Sequence, residues 1–207
     1  MLKFNTKEYF NDVWDEKSKT IVLNLMNDFV RICEIQNLDY FLIYGSLLGC
    51  SRNNKIIPWD GDIDFSILEG KDYSILKNML ENCGHKIHLY DDKNSYYQCM
   101  KICHVSGQKT HEAWSWPWID VYFHRIENNE IKLVNVNKNI FYKNHSEKFY
   151  PLKKMMFENL AVNVPNQNAS ILNDLYPNWD AIYESCKFSH KNQKKNNIIC
   201  KIPYNKM

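Results

Sequence analysis

At 207 residues the chain is long enough for one domain that buries roughly 70% of its unfolded surface, so a packed core suffices without disulfide staples. A formal charge of +2 and a pI near 8.1 are too even for a nucleic-acid-binding footprint, and no basic stripe is interleaved with aromatics. The basic residues are 23 Lys and three Arg, which makes Arg31, Arg52 and Arg125 conspicuous.

The N-terminal MLKFNTKEYFNDVWDEK carries charges where a signal peptide needs an apolar stretch. No window approaches the roughly 18 consecutive apolar residues of a spanning helix. A cytoplasmic protein without a transmembrane segment is therefore expected, with only peripheral membrane contact left open. From Lys17 to Gln36, Val22, Leu25, Met26, Phe29, Ile32 and Cys33 recur at three- and four-residue steps, which predicts an amphipathic helix. Asn37 can stop it in a left-handed conformation. Tyr40 to Tyr44 reads as a buried strand feeding a turn at Gly45, with Ser46 capping the next helix.

Pro58 pushes Ile57 toward extended backbone, so a loop precedes Trp59 and a strand runs from about Gly61 to Leu68. A helix is predicted within Lys71 to Asn82, followed by strands at His85–Tyr90, Tyr96–His104 and Ile119–His124. Asn128-Asn129 is a hairpin turn signal. A second hairpin is expected from Lys153–Phe157 and Leu160–Val164 around Glu158-Asn159, then a helix near Asn168–Tyr176. These elements predict one domain over residues 1–186, a mixed sheet flanked by helices in the α/β (α+β) class with a small C-terminal extension. Residues 187–207 read as a polar, basic tail whose Lys191, Lys194 and Lys195 are too few to argue a membrane or polymer contact. The seven cysteines are odd in number and match no secreted disulfide framework, so reduced thiols are expected.

The chemistry concentrates between Tyr44 and Phe65. On a strand, Asp62 and Asp64 point to one face about 7 Å apart at Cα, while Ile63 and Phe65 point into packing. Two such carboxylates suit a hard cation such as Mg²⁺. Asp60 joins them if extension begins early. Gly45-Ser46 at a helix N-terminus offers backbone N–H groups to a phosphate, and Arg52 can pair with phosphate or with a nearby acid. Asp120, between apolar Ile119 and Val121, either completes the metal shell or takes a proton from an acceptor hydroxyl.

The run YGSLLGCSRNNKIIPWDGDID resembles the signature of the LicD family, which includes fukutin and fukutin-related protein. The similarity extends more weakly through residues 151–180. It implies a nucleotidyltransferase-like fold with Gly45 and Ser46 at the turn, and Asp62, Asp64 and Asp120 as the metal and catalytic acids. It further implies Mg²⁺ or Mn²⁺, a CDP-linked donor, and transfer of a phosphocholine- or phospho-alditol-type group to a glycan acceptor. Two positions depart from the pattern: Gly61, where the family often has another aspartate, and Cys50-Ser51 before Arg52. The alternatives are a true nucleotidyltransferase releasing pyrophosphate and a catalytically silent glycan- or nucleotide-binding module.

Two further clusters read as packing. Trp114, Trp116 and Trp118 could hold a quaternary ammonium by cation–π attraction, yet tryptophans alternating around Pro117 are more often core. Cys99, Cys103, His104 and His111 miss the usual zinc spacing.

Overall fold

The computed structural model describes residues 6–69, 72–91, 98–134, 140–186, 189–192 and 198–204. Helix α1 (Glu16–Ile35) opens on a capping box, Asp15 Oδ1 accepting from Ser18 N at 2.7 Å and Ser18 Oγ from Asp15 N at 3.0 Å. It ends where Asn37 turns left-handed, at φ 49°. Next come β1 (Tyr40–Leu42), α2 (Tyr44–Asn53), β2 (Ile63–Leu68), α3 (Ser74–Asn82), β3 (His85–Asp91), β4 (Gln98–Lys109) and β5 (Ser115–Glu127). Strands β6 (Glu130–Val134), β7 (Ile140–His145), β8 (Lys153–Phe157) and β9 (Leu160–Val164), helix α4 (Asn168–Leu175), then β10 (Ile182–Ser185) and β11 (Cys200–Pro203) complete the chain.

A seven-stranded sheet has the order β1-β2-β5-β4-β3, with β6 and β7 continuing from β5. Only β2 and β5 run parallel; every other neighbouring pair is antiparallel. This is the expected mixed α+β class, with four helices among the described residues. Helix α1 covers one face of the sheet, its Phe29 lying 4.8 Å from Phe65 between ring centroids. Ile63, Phe65, Ile67, Ile119 and Val121 are all fully buried, so β2 and β5 are the spine of the core. The Asn128-Asn129 turn adopts φ of 52° and 61°, as a tight hairpin requires, and joins β5 to β6. The second hairpin appears as β8 and β9, turning through Glu158 at φ 52°.

Three local expectations change. Helix α2 begins at Tyr44, itself at φ 49°, so Ser46 lies inside its first turn; Ile43 is the N-cap and no side chain caps it. The strand expected over Tyr96–His104 continues to Lys109 past a register shift between Cys103 and Gln108, while residues 92–97 lie outside those described. Part of the segment read as a tail is packed: β11 pairs with β10, and residues 189–192 lie against the sheet, where Lys191 Nζ sits 5.3 Å over the Trp116 ring. Lys194 and Lys195 lie outside the described residues. Among the described residues, no helix is long and apolar enough to cross a membrane.

Candidate active site

Parallel pairing of β2 with β5 sets Asp64 directly beside Asp120, and antiparallel pairing of β5 with β4 sets Asp120 beside Lys101. In-register neighbours share a face, so one face presents acid, acid and lysine in a row. Asp62 precedes β2 on that same face. Asp62, Asp64 and Asp120 are buried, and one carboxylate oxygen from each lies within 4.8 Å of the others. The three acids separated by up to 58 positions in the chain thus converge as the sequence suggested.

Lys101 is the residue the sequence did not reveal. Its Nζ lies 2.7 Å from both carboxylate oxygens of Asp120, and Trp118 Nε1 donates to Oδ2 at 3.2 Å. The ammonium also sits 4.7 Å over the Trp118 ring and 5.3 Å over Trp114. The tryptophan faces considered for choline are therefore turned to an internal cation, and Trp116 donates its Nε1 to Gly61 O at 2.8 Å. All three indoles are buried packing.

Ser46 serves β2 rather than α2: its Oγ accepts from Asp64 N at 2.8 Å, which fixes the backbone of the central acid. Gly45 makes room for a carboxylate, because a Cβ there would lie 2.1 Å from Asp60 Oδ2. The N-terminal end of α2, expected to face phosphate, is thus approached by Asp60. Arg52 is held by main chain, with Nε and Nη2 donating to Trp179 O at 3.0 and 2.6 Å and Nη2 to Ile182 O at 2.9 Å. Its guanidinium also stacks against Tyr183 and Tyr204, so it fastens the C-terminal segment while lining the pocket.

His190 enters from that segment and places Nε2 3.1 Å from Asp62 Oδ2. Nothing local in a polar stretch of sequence announces it. Beside it opens a cavity of about 550 Å³, bordered by Gly45, Arg52, Trp59, Asp60, Tyr176 and His190. Asp60, Gly45 and His190 join the acid cluster to this space.

The electrostatics follow from burial and crowding. Burial, then the charge of Asp62, pushes Asp60 up to about 7. Asp64 is raised well above the carboxylate range by burial and by the charges of Asp62, Asp60 and Asp120. Burial also raises Asp120, against the pull of Lys101. Asp62 goes the other way: burial works to raise it, but the imidazole of His190 and the ammonium of Lys101 outweigh that and lower it. Burial works against a charge on His190, and Asp62 beside it prevails, so its pKa rises. Four carboxylates face Lys101 and His190, an excess of negative charge that a divalent cation would neutralise. An all-oxygen donor set of this kind suits Mg²⁺ or Mn²⁺.

The cysteine cluster does not form a zinc site: Cys103 Sγ accepts from Ser115 N, Cys99 Sγ faces Asp120, and His104 bonds Ser106. Among the described residues, the groups with metal-ligand spacing are Asp62-Asp64-Asp120 and Asp60-Asp62-His190. All seven cysteines are free thiols.

The family model described as LicD/FKTN/FKRP, nucleotidyltransferase domain, matches residues 37–167, which hold α2, β2 and β5 and with them all four aspartates. The chain belongs to the LicD family. It is 27% identical over 167 residues to an uncharacterized protein of Rickettsia prowazekii, covering 79% of this chain and 57% of that one. A second uncharacterized protein, from Rickettsia typhi, is 27% identical over 170 residues, covering 80% and 48%. The lipopolysaccharide cholinephosphotransferase LicD of Haemophilus influenzae is 38% identical over 48 residues, 23% of this chain and 18% of that protein. The chain spans about half the length of the Rickettsia relatives it matches.

Proposed function

We propose that the chain is a divalent-cation-dependent phosphotransferase, moving a phosphocholine- or phospho-alditol-type group from a CDP-linked donor to a hydroxyl of a glycan. The observation that carries this reading is the convergence of Asp64 and Asp120, on adjacent parallel strands, with Asp62 just before the first of them, beside a cavity large enough for a nucleotide-sized ligand. The cholinephosphotransferase named among the relatives supports a choline-type group.

Asp62, Asp64 and Asp120 would hold the cation, Mg²⁺ or Mn²⁺, which neutralises charge on the donor phosphates when bound. Ser46 fixes Asp64 through its backbone, and Trp118 with Lys101 fixes Asp120. The acceptor oxygen attacks the phosphorus of the transferred group; the bond to the second phosphate breaks and cytidine monophosphate leaves with the electron pair. The hydroxyl proton passes to a carboxylate of the cluster. Lys101 on both oxygens of Asp120 weakens that residue as an acceptor.

The test is a donor panel of CDP-choline, CDP-ribitol and CDP-glycerol with a glycan acceptor, products resolved by mass. Cytidine monophosphate release that requires Mg²⁺ or Mn²⁺ supports the reading. Pyrophosphate release from a nucleoside triphosphate points to a nucleotidyltransferase instead, and binding without turnover to a silent module.

A further inference from the structure

The Asp60-Asp62-His190 group shares Asp62 with the Asp62-Asp64-Asp120 group. His190 comes from beyond the matched residues 37–167. One ligand atom from each of the three residues lies within 4.8 Å of the others, and His190 Nε2 is 3.1 Å from Asp62 Oδ2. Two adjacent ligands on a cation at about 2.1 Å are about 3 Å apart, so this spacing suits shared coordination as well as a hydrogen bond.

Two glycines make the group sterically possible. A Cβ on Gly61 would lie 2.7 Å from His190 Nδ1 and 3.1 Å from Cγ, so any side chain at 61 drives the imidazole out. A Cβ on Gly45 would lie 2.1 Å from Asp60 Oδ2 and drives that carboxylate out. The Gly61 peptide is itself pinned by the 2.8 Å bond from Trp116, and the His190 ring meets Trp118 edge-on at 5.9 Å. A plain ion pair would need only His190 and Asp62. Asp60, brought in over its own glycine, adds a third carboxylate or imidazole donor that an ion pair does not require.

We propose that Asp60, Asp62 and His190 form a second cation subsite, sharing Asp62 with the Asp62-Asp64-Asp120 site and contributing an imidazole nitrogen as ligand. It rests on the reading of the acid cluster as a cation centre. The mixed nitrogen and oxygen donors favour Mn²⁺ or another transition-type ion over Mg²⁺, and Asp60 and His190 face the 550 Å³ cavity, where a donor phosphate can reach the ion. Gly61 is the enabling residue, because an aspartate there would occupy the volume of the ring.

The experiment titrates the full chain with Mn²⁺ alone, counts bound ions by the loss of the free-ion EPR signal, and reads ligands by electron spin-echo modulation. Two bound ions per chain and modulation from a directly bound ¹⁴N are expected. His190→Ala should abolish that modulation and weaken the second binding event about tenfold or more, and Gly61→Ala should do the same with every ligand residue intact. Bound Mn²⁺ without ¹⁴N modulation in the wild type, or modulation undiminished in His190→Ala, overturns the subsite and leaves the carboxylate site standing. Failure of the wild type to bind Mn²⁺ at all overturns both.

Discussion

Lys101→Met isolates the ion pair at the base of the site. The ammonium lies 2.7 Å from both oxygens of Asp120, with side-chain exposures of 13% and 7%, so its removal leaves a buried carboxylate uncompensated. Breaking one partner of a buried pair costs about 3–5 kcal/mol. At about 2–4 °C per kcal/mol for a domain of this size, the melting temperature in EDTA should fall by about 6–20 °C. The methionine keeps the stem packed on Trp114 and Trp118, so the loss reports charge rather than volume. Because the variant site is one positive charge poorer, it should bind Mn²⁺ more tightly, so a concentration 100-fold above the wild-type Kd, which gives the wild type roughly 2.7 kcal/mol, should recover more stability in the variant. The assay is thermal melting by circular dichroism with EDTA and with Mn²⁺, alongside Asp120→Asn and the double variant. In the double variant both charges are gone and stability should return most of the way to wild type. A Lys101→Met protein that melts within about 2 °C of wild type in EDTA, or that Mn²⁺ does not rescue, would mean that Lys101 does not compensate the charge of Asp120.

Three other outcomes follow from single contacts. His124 is fully buried, its Nδ1 2.9 Å from Ser66 Oγ, and burial lowers its pKa to about 3. The unfolded chain then binds the proton first, so stability is intact above the ordinary value of about 6.5 and is lost as pH falls toward 3, by about 2 kcal/mol at pH 5; His124→Gln should remove that share of the acid slope in denaturant titrations. Arg52→Ala loses its bonds to Trp179 O and Ile182 O, so limited proteolysis should cut residues 176–204 faster, with stability down about 2–3 kcal/mol, and Arg52→Lys should not restore the fork. Ser46→Ala strands the Asp64 N–H, which should cost about 1–3 kcal/mol and weaken Mn²⁺ binding about tenfold by calorimetry.

The paired acids were legible because two carboxylates at i and i+2 inside an apolar strand have no packing reason to be there, and Asp120 stood out for the same cause. The β8–β9 hairpin was legible from two short runs around Glu158-Asn159. Lys101 was not, since a lysine between Met100 and Ile102 reads as a surface residue until pairing with β5 brings it to Asp120. His190 could not be seen at all: it sits in a polar stretch 128 residues from Asp62, and only the fold of the C-terminal segment brings it in. Ser46 was misplaced by three residues of helix, because Tyr44 takes a positive φ that the sequence presents as the end of a strand. Arg52 was read by charge alone, which does not distinguish a phosphate from the main-chain carbonyls it binds.

Asp64→Asn is the decisive variant for phosphoryl transfer carried by cation-held carboxylates at β2 and β5. The substitution keeps the shape of the side chain and removes its charge from the middle of the cluster. Turnover of the preferred CDP-linked donor, followed as cytidine monophosphate released with and without Mg²⁺ or Mn²⁺, should depend on the cation in the wild type and fall by at least about a thousandfold in the variant while its melting temperature holds or rises. Full turnover by Asp64→Asn, or wild-type turnover unaffected by EDTA, would exclude a cation-held carboxylate cluster as the catalytic centre.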